Sequence, residues 1–192
     1  DVLSQKGKSL DRKEFEKEFE KHRELSRTAS AGMFKGGLAD HSEEVTKLHS
    51  ATHLLHAALR KVLGEHVAQQ GSNINAERLR FDFSNPEKLT DGQIKKVEAI
   101  INKQVDKDWP VSFETKKLDE AIKEGALHFF GEKYGKEVKV YTVGNPKGEW
   151  FSKEVCGGPH VTRTGEVGHV RIIKQEKVGS GLVRIYATNK PE

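Results

Sequence analysis

The sequence has a single cysteine, a single methionine and no long hydrophobic run among its 192 residues. One cysteine excludes an internal disulfide framework, which favours a reducing, intracellular compartment. No segment approaches the roughly 18 consecutive apolar residues of a membrane span, and the N-terminus lacks the apolar stretch of a signal peptide. These absences predict a cytoplasmic protein that does not contact a membrane.

A strong charge of either sign is also absent, because 33 lysines and arginines are balanced by 29 acidic residues and leave a formal net charge of +4. This small excess permits contact with nucleic acid without establishing it. The length is sufficient for one well-packed core, with or without an appended arm.

The first part of the chain is almost wholly charged. Asp11 and Glu14 resemble a capping box, which predicts an exposed helix over about 12–29. We therefore expect a charged linker helix in residues 1–30 and a folded domain in 31–192. The linker is typical of a connector to an upstream region, and the first residue is Asp1 rather than methionine. Both features favour a domain excised from a longer protein over a free-standing one.

A better marked helix begins at Asp40 to Glu43 and ends at Gly64. One of its faces is apolar, and a second stripe at the same period carries His49, His53, His56 and Arg60. A further helix begins at the capping box of Thr90 and Gln93, and a short one is expected over Leu118–Leu127. Strands are expected in HVAQQGSNI, RLRFDF, VSFET, EVKVYTV, GHVRIIKQ and LVRIYAT. Helices mixed with antiparallel strands predict an α+β fold, with an antiparallel sheet packed against helices.

The lone cysteine lies in the stretch VCGGPHV, residues 155–161. Cys156 and His160 are four residues apart, as are His49 and His53 on the predicted helix. Three imidazoles and one thiolate suit tetrahedral Zn²⁺. However, a lone cysteine is usually a small buried hydrophobe, and histidine pairs at this spacing also occur by chance. His56 and His66 lie nearby and are competing candidates for metal ligands, but each is more typical of a surface histidine or of one that supports a ligand.

Four stretches resemble the editing domain of bacterial alanyl-tRNA synthetases: HSATHLLHAALRKVLGEHVAQQGS, RLRFDFSNPEKLT, FFGEKYG and CGGPHVTRTGEVGHVRI. Free-standing alanyl-tRNA editing proteins and the threonyl-tRNA synthetase editing domain are related to it. The similarity runs from about Ala31 to Ala187 and implies the second-additional-domain fold. It also implies a zinc site whose ligands are His49, His53, Cys156 and His160.

The resemblance implies a deacylase that hydrolyses the ester of serine or glycine wrongly attached to alanine tRNA. The metal would either lower the pKa of a bound water or orient the substrate, and four protein ligands favour orientation. Gln69 matches a glutamine that lines the family's pocket, while Thr52 and Gly157 are further candidate catalytic residues. Candidate RNA contacts are Arg78, Arg80, Arg163 and Lys174.

Two departures from the alanyl pattern leave other interpretations open. Pro159 stands where the alanyl motif usually has threonine, as in the threonyl version, and Val183 replaces an arginine of the terminal motif. Editing of mischarged threonine tRNA is therefore one alternative. A zinc-stapled tRNA-binding module without activity is another. The alanyl-type motifs favour the alanine tRNA substrate.

Overall fold

A computed structural model describes residues 37–129, 135–179 and 181–191. The chain divides into two compact units, Asp1–Phe34 and Lys35–Glu192, and every residue described here belongs to the second. The predicted charged helix at 12–29 lies outside the described residues. In these residues the helices are α1 (Glu43–Leu63), α2 (Asp91–Asp106) and α3 (Leu118–Lys123), with a 3-10 turn at Thr164–Val167. The strands are β1 (Gln69–Ile74), β2 (Leu79–Ser84), β3 (Val111–Lys117), β4 (Glu137–Gly144), β5 (Trp150–Val155), β6 (Arg171–Lys177) and β7 (Leu182–Thr188).

Helix α1 is the central element, and its boundaries agree with the sequence prediction. Ser42 caps its start by accepting a hydrogen bond from the Val45 N–H. Gly64 follows its end with φ of 119°, which a residue with a side chain rarely adopts. The apolar face of the helix is buried, with Leu48 and Leu55 fully excluded from solvent. This burial fixes the rotation of the helix and thereby the direction of its histidines.

Four strands form one antiparallel sheet in the order β1-β2-β7-β6. Phe81 and Phe83 of β2 alternate toward the core and are fully buried, as the pattern of RLRFDF predicts. The predicted pairing of the last two strands is confirmed, with Gln175 opposite Ile185. Arg80 and Asp82 of β2, which alternate with these rings, therefore lie on the outer face of the sheet.

The remaining strands form a second antiparallel sheet in the order β3-β4-β5. Strand β5 is not predicted from the sequence. One face of this sheet approaches α1, where Val143 joins the main core. The other face packs against α3 through a small cluster of Ala121, Ala126, Val138 and Val140. The second sheet thus extends from the buried side of α1 to the surface of the domain.

The prediction of a helix over Leu118–Leu127 is wrong in its second half. Helix α3 ends at Lys123 because Gly125 adopts φ of +83°, and Leu127 instead forms a bridge to Glu154. The α+β class and the antiparallel pairing are confirmed. None of the helices within the described ranges is long and apolar enough to cross a membrane.

Candidate metal centre

Two segments far apart in the sequence bring four potential ligands together. His49 and His53 come from α1, whereas Cys156 and His160 come from the turn that follows β5. One nitrogen or sulfur atom from each lies within 4.8 Å of the others. The structure therefore assembles all four residues that the sequence predicts as ligands.

The helix half of the cluster is almost completely buried, with His49 3% and His53 6% exposed. Nδ1 of His49 lies 2.8 Å from the Pro159 carbonyl oxygen. Since a carbonyl can only accept, Nδ1 carries the proton and Nε2 keeps its lone pair. That Nε2 atom is 3.4 Å from the Cys156 sulfur, so the lone pair is directed into the cluster.

Ser50 sets the tautomer of the ligand on the turn. Its hydroxyl donates to the Thr46 carbonyl oxygen at 3.1 Å and accepts from the Val161 N–H at 3.1 Å. The same oxygen lies 3.1 Å from Nδ1 of His160. Because the only hydroxyl proton is already donated to Thr46, Nδ1 of His160 must be the donor. Its Nε2 therefore carries the lone pair.

The three imidazoles are neutral, as metal ligands must be. Burial, together with the neighbouring His53, lowers the pKa of His49 to about 4. Burial also lowers the pKa of His53 and lowers that of His160 well below its usual value. Three uncharged nitrogen donors beside a thiol are thus available at neutral pH.

The donor set fits a bound metal ion. Nε2 of His160 is buried and has no hydrogen-bond partner among the described residues, although a buried polar atom normally has one. A single ion satisfies that atom together with the other three donors. Imidazole nitrogen and thiolate sulfur are both ligands that zinc takes in proteins. The four residues are therefore a candidate metal site that is suited to zinc.

Gly158 and Gly157 have different roles in the turn. A Cβ atom on Gly158 would lie 2.5 Å from Cε1 of His49 and 3.1 Å from Leu38 Cδ1. A Cβ on Gly157 would meet nothing within 4 Å, and this residue is exposed. Gly158 is therefore required for the close packing of the turn on His49. Gly157, the predicted catalytic glycine, lies at the open side with its backbone accessible.

Behind the ligands lies a buried polar group that the sequence analysis does not predict. Glu154 accepts from the Ser152 hydroxyl at 3.0 Å and lies 3.3 Å from Nδ1 of His56. Burial opposes ionisation of this carboxyl, but His53, His56 and the two hydrogen bonds together hold its pKa at about 2. His56 thus contacts a carboxylate one turn beyond His53, while His66 bonds Asn85 elsewhere.

The two predicted substrate contacts have different environments. Thr52 lies on α1 between the histidine ligands, is buried, and donates its hydroxyl proton to the Leu48 carbonyl at 3.0 Å. The oxygen can therefore still accept a hydrogen bond but has no second proton to donate. Gln69 begins β1 opposite Phe83 and is half-buried. Both remain candidate contacts for a substrate.

Three of the four predicted RNA contacts share the outer face of the four-stranded sheet. Arg78 and Lys174 lie over the Tyr186 ring, 5.5 and 5.7 Å from its centre, and Arg80 is paired with Tyr186 across the strands. Arg163 is not in this group. Its guanidinium binds Asp108 beside the 3-10 turn.

Sequence reasoning also misses Tyr141, whose ring lies 4.2 Å from the ring of His160, measured between centres. The proximity of Cys156 adds to the effect of burial, so that the pKa of Tyr141 is raised. The alternation of EVKVYTV predicts a strand but not which helix or turn it faces. Ser50 is adjacent to the predicted ligand His49, and that adjacency is its only signal.

Comparison with known proteins gives two findings. The profile of the threonyl and alanyl tRNA synthetase second additional domain matches residues 138–186. Alanine–tRNA ligases from Treponema denticola and Borrelia hermsii are 54% and 50% identical over 187 residues, 97% of this chain. These alignments cover 30% and 31% of the two ligases. The chain therefore spans about a third of the length of the curated relatives it matches.

Proposed function

This chain belongs to the alanyl-tRNA synthetase family, within the region that carries the second additional domain, and from that premise we propose that it is an aminoacyl-tRNA deacylase. Its proposed substrate is alanine tRNA that wrongly carries serine or glycine, and the bond hydrolysed is the ester to the 3′-terminal ribose. The proposed reaction is ester hydrolysis in the cytoplasm.

The observation that carries the proposal is the unequal burial of the candidate metal centre. Four protein ligands would fill the tetrahedral shell of zinc, so a catalytic role here requires that substrate can approach the centre from an accessible side. His49 and His53 are buried in α1, but Cys156 and His160 are half-buried and Gly157 is exposed. The centre therefore has one side at the surface, where an ester at the end of an RNA chain can reach it.

His49, His53, Cys156 and His160 would hold the metal ion. Zinc, when bound, supplies a fixed positive charge and Lewis acidity next to the ester. The residues around it orient the reactants. The exposed backbone at Gly157 can direct its N–H toward an ester carbonyl, and the amide of Gln69 can hold a water or the same carbonyl.

For mischarged serine, discrimination against alanine is assigned to a hydrogen bond with the serine hydroxyl, which glycine cannot make. A hydrophobic pocket separates serine from alanine poorly, but a site that binds the hydroxyl rejects the analogue that lacks it by up to about 10⁴-fold. Thr52 is suited to supply one such contact as an acceptor, because its own proton is already donated to the Leu48 carbonyl, and Gln69 is the other candidate. The serine hydroxyl would then be the donor.

For the RNA itself, the basic outer face around Tyr186 offers Arg78, Arg80 and Lys174 to phosphates. Contacts of this kind release counterions and weaken as salt is raised. A salt titration of tRNA binding tests this face, and binding that is independent of salt would exclude it. Arg163 is paired with Asp108, and Lys174 is likewise paired with Glu176.

The deciding experiment is hydrolysis of Ser-tRNA and Ala-tRNA, both on alanine tRNA, by the purified chain. We expect Ser-tRNA to be cleaved much faster, and Cys156→Ala to remove the activity. Similar rates on both esters would refute editing. Binding of tRNA without hydrolysis would favour the zinc-stapled binding module. Preferential hydrolysis of serine on threonine tRNA would favour the alternative suggested by Pro159.

A further inference from the structure

A row of aromatic rings connects the candidate metal centre to the surface of the second sheet. The Tyr141 ring contacts the His160 ring at 4.2 Å, and the Phe113 ring lies 5.2 Å from that of Tyr141. Phe113 and Tyr141 are directly paired across β3 and β4, so both side chains project from the same face. The row therefore leads outward from the centre.

Phe113, at the outer end of the row, is a large apolar side chain that is 49% exposed. A single exposed apolar side chain is common on protein surfaces, but this ring is continuous with the rings that reach the centre. Lys139 accompanies it, with its ammonium 4.6 Å from the centre of the ring. The backbone carbonyl of Lys139 also accepts a hydrogen bond from the Cys156 N–H at 3.1 Å. The exposed ring and its lysine are thus continuous with the turn that carries two of the ligands.

An exposed aromatic ring with a neighbouring cation is suited to a nucleotide. Stacking on an aromatic ring accepts any base, because every base has a π-face, and the ammonium can pair with a phosphate. In the substrate proposed above, the ester and the terminal base are attached to the same ribose. When the ester of such a substrate lies at the centre, its terminal base must therefore lie close by. The Phe113 ring, two ring contacts from the centre, is at a suitable position for that base.

We propose that Phe113 and Tyr141, with Lys139, form a nucleoside-binding platform that stacks the 3′-terminal base of the acylated RNA beside the metal centre. This inference rests on the proposed function, because it takes the ester at the centre as its starting point. Phe113 and Lys139 contact the nucleotide, while Tyr141 links the stacked base to His160. The platform positions the ester and takes no part in the chemistry.

Trp150 on the same sheet provides a matched control. It is 41% exposed and also lies beneath a lysine, with the Lys153 ammonium 5.3 Å from its ring. Lys153 is paired with Thr142 across β5 and β4, and the neighbouring pair is Glu154 and Tyr141. The Lys153 side chain therefore projects to the face of the sheet opposite to that of Tyr141. Trp150 thus has a similar exposure and a similar cation without a contact to the centre.

The test measures binding of a tetraribonucleotide that carries no amino acid and ends in adenosine. The comparison probe is the same oligonucleotide with an abasic terminal ribose. Wild type is expected to bind the intact probe about tenfold more tightly than the abasic one. Phe113→Ala should lose about tenfold on the intact probe and nothing on the abasic one. Phe113→Tyr should bind like wild type, and so should Trp150→Ala. Circular dichroism verifies that each variant is folded.

The result that overturns the platform is Phe113→Ala binding both probes as wild type does, or losing equally on both. If that variant instead changes the oligomeric state in size-exclusion chromatography without affecting the probes, the ring is a protein contact and the platform is refuted. Hydrolysis of Ser-tRNA is measured separately. Base-dependent binding in a chain that cleaves no ester would refute the proposed function and leave the platform in place.

Discussion

The two halves of the candidate metal centre are held in place by different means. His49 and His53 are four residues apart on α1, and the helical repeat alone directs both rings to one side. Cys156 and His160 have the same separation on an irregular turn, where no repeat directs them. The turn is held by contacts with the helix, through the Pro159 carbonyl and the Val161 N–H. The helix thus supplies two ligands and also positions His160, whereas the Cys156 N–H is held by the Lys139 carbonyl of β4.

Removal of a ligand from either half should have the largest effect. In His53→Ala and in Cys156→Ala, we expect zinc to fall from about one ion per chain to nearly none, because three remaining ligands bind far more weakly. Metal analysis of the purified proteins measures this. His53→Ala should also lower the melting temperature of the metal-free protein more, since His53 is buried and Cys156 only half-buried.

His66→Ala is the matched control for these variants, because His66 bonds Asn85 and is not part of the cluster. It should retain its zinc. Full occupancy in both ligand variants would refute the ligand assignment. Circular dichroism must accompany the analysis, because loss of a structural ion also removes folding energy.

Ser50→Ala tests whether the helix orients the ligand on the turn. Without the hydroxyl, Nδ1 of His160 has no acceptor and its tautomer is no longer fixed. Loss of such a supporting hydrogen bond typically lowers metal affinity by about 10- to 100-fold. Competition with a chromophoric chelator measures the affinity. Ser50→Thr restores a hydroxyl and should recover most of it. Equal zinc affinity in Ser50→Ala and wild type would show that the turn orients His160 by itself.

Gly158→Ala tests the packing of the turn on the helix. The added methyl group would lie 2.5 Å from the His49 ring, so either the ring or the turn must shift. Overpacking of this kind costs about 1–3 kcal/mol. We expect the free energy of unfolding and the zinc affinity both to fall. Gly157→Ala is the control, since its methyl group meets no atom within 4 Å. Equal losses in both variants would mean that backbone flexibility, and not the clash, is responsible.

Thr52→Val should have the smallest effect. It changes only a residue of α1, the helix that supplies His49 and His53. It keeps the shape of the side chain and removes one hydrogen-bond acceptor, which is worth about 0.5–1.5 kcal/mol. We expect the ratio of Ser-tRNA to Ala-tRNA hydrolysis to fall by about two- to tenfold, with zinc retained. An unchanged ratio would show that Thr52 is only a packing residue. The residues that discriminate serine from alanine would then lie on the turn that carries Cys156 and His160.

The parts of the fold that follow from local periodicity are those that the sequence predicts well. Helix α1, the capping box at Thr90 and the alternating strand β2 are set by side chains within a few residues. Strand β5 is missed because its residues Phe151 to Glu154 are buried in succession and carry no alternation of apolar and polar side chains. Their burial arises from packing on both faces of the second sheet.

For the site, the spacing and chemistry of the four ligands suggest a metal centre, and the family resemblance selects these four residues. The residues that orient them are not, since Ser50, Glu154 and Tyr141 acquire their roles only through contacts between distant segments. The grouping of Arg78 and Lys174 around Tyr186 likewise depends on strand register. Arg163 shows the opposite case, a predicted RNA contact whose charge is held by an unforeseen aspartate.

The separation of the two ligand pairs also sets an order of events during synthesis. His49 and Cys156 are 107 residues apart, which corresponds to roughly 5 to 20 seconds at a synthesis rate of about 5–20 residues per second. Helix α1 can form as soon as it leaves the ribosome, yet for that interval it presents two imidazoles without their partners. The ion can be captured fully only after β5 has been added. Capture of an ion by all four candidate ligands would therefore follow synthesis of the turn, while β6 and β7 have still to be added.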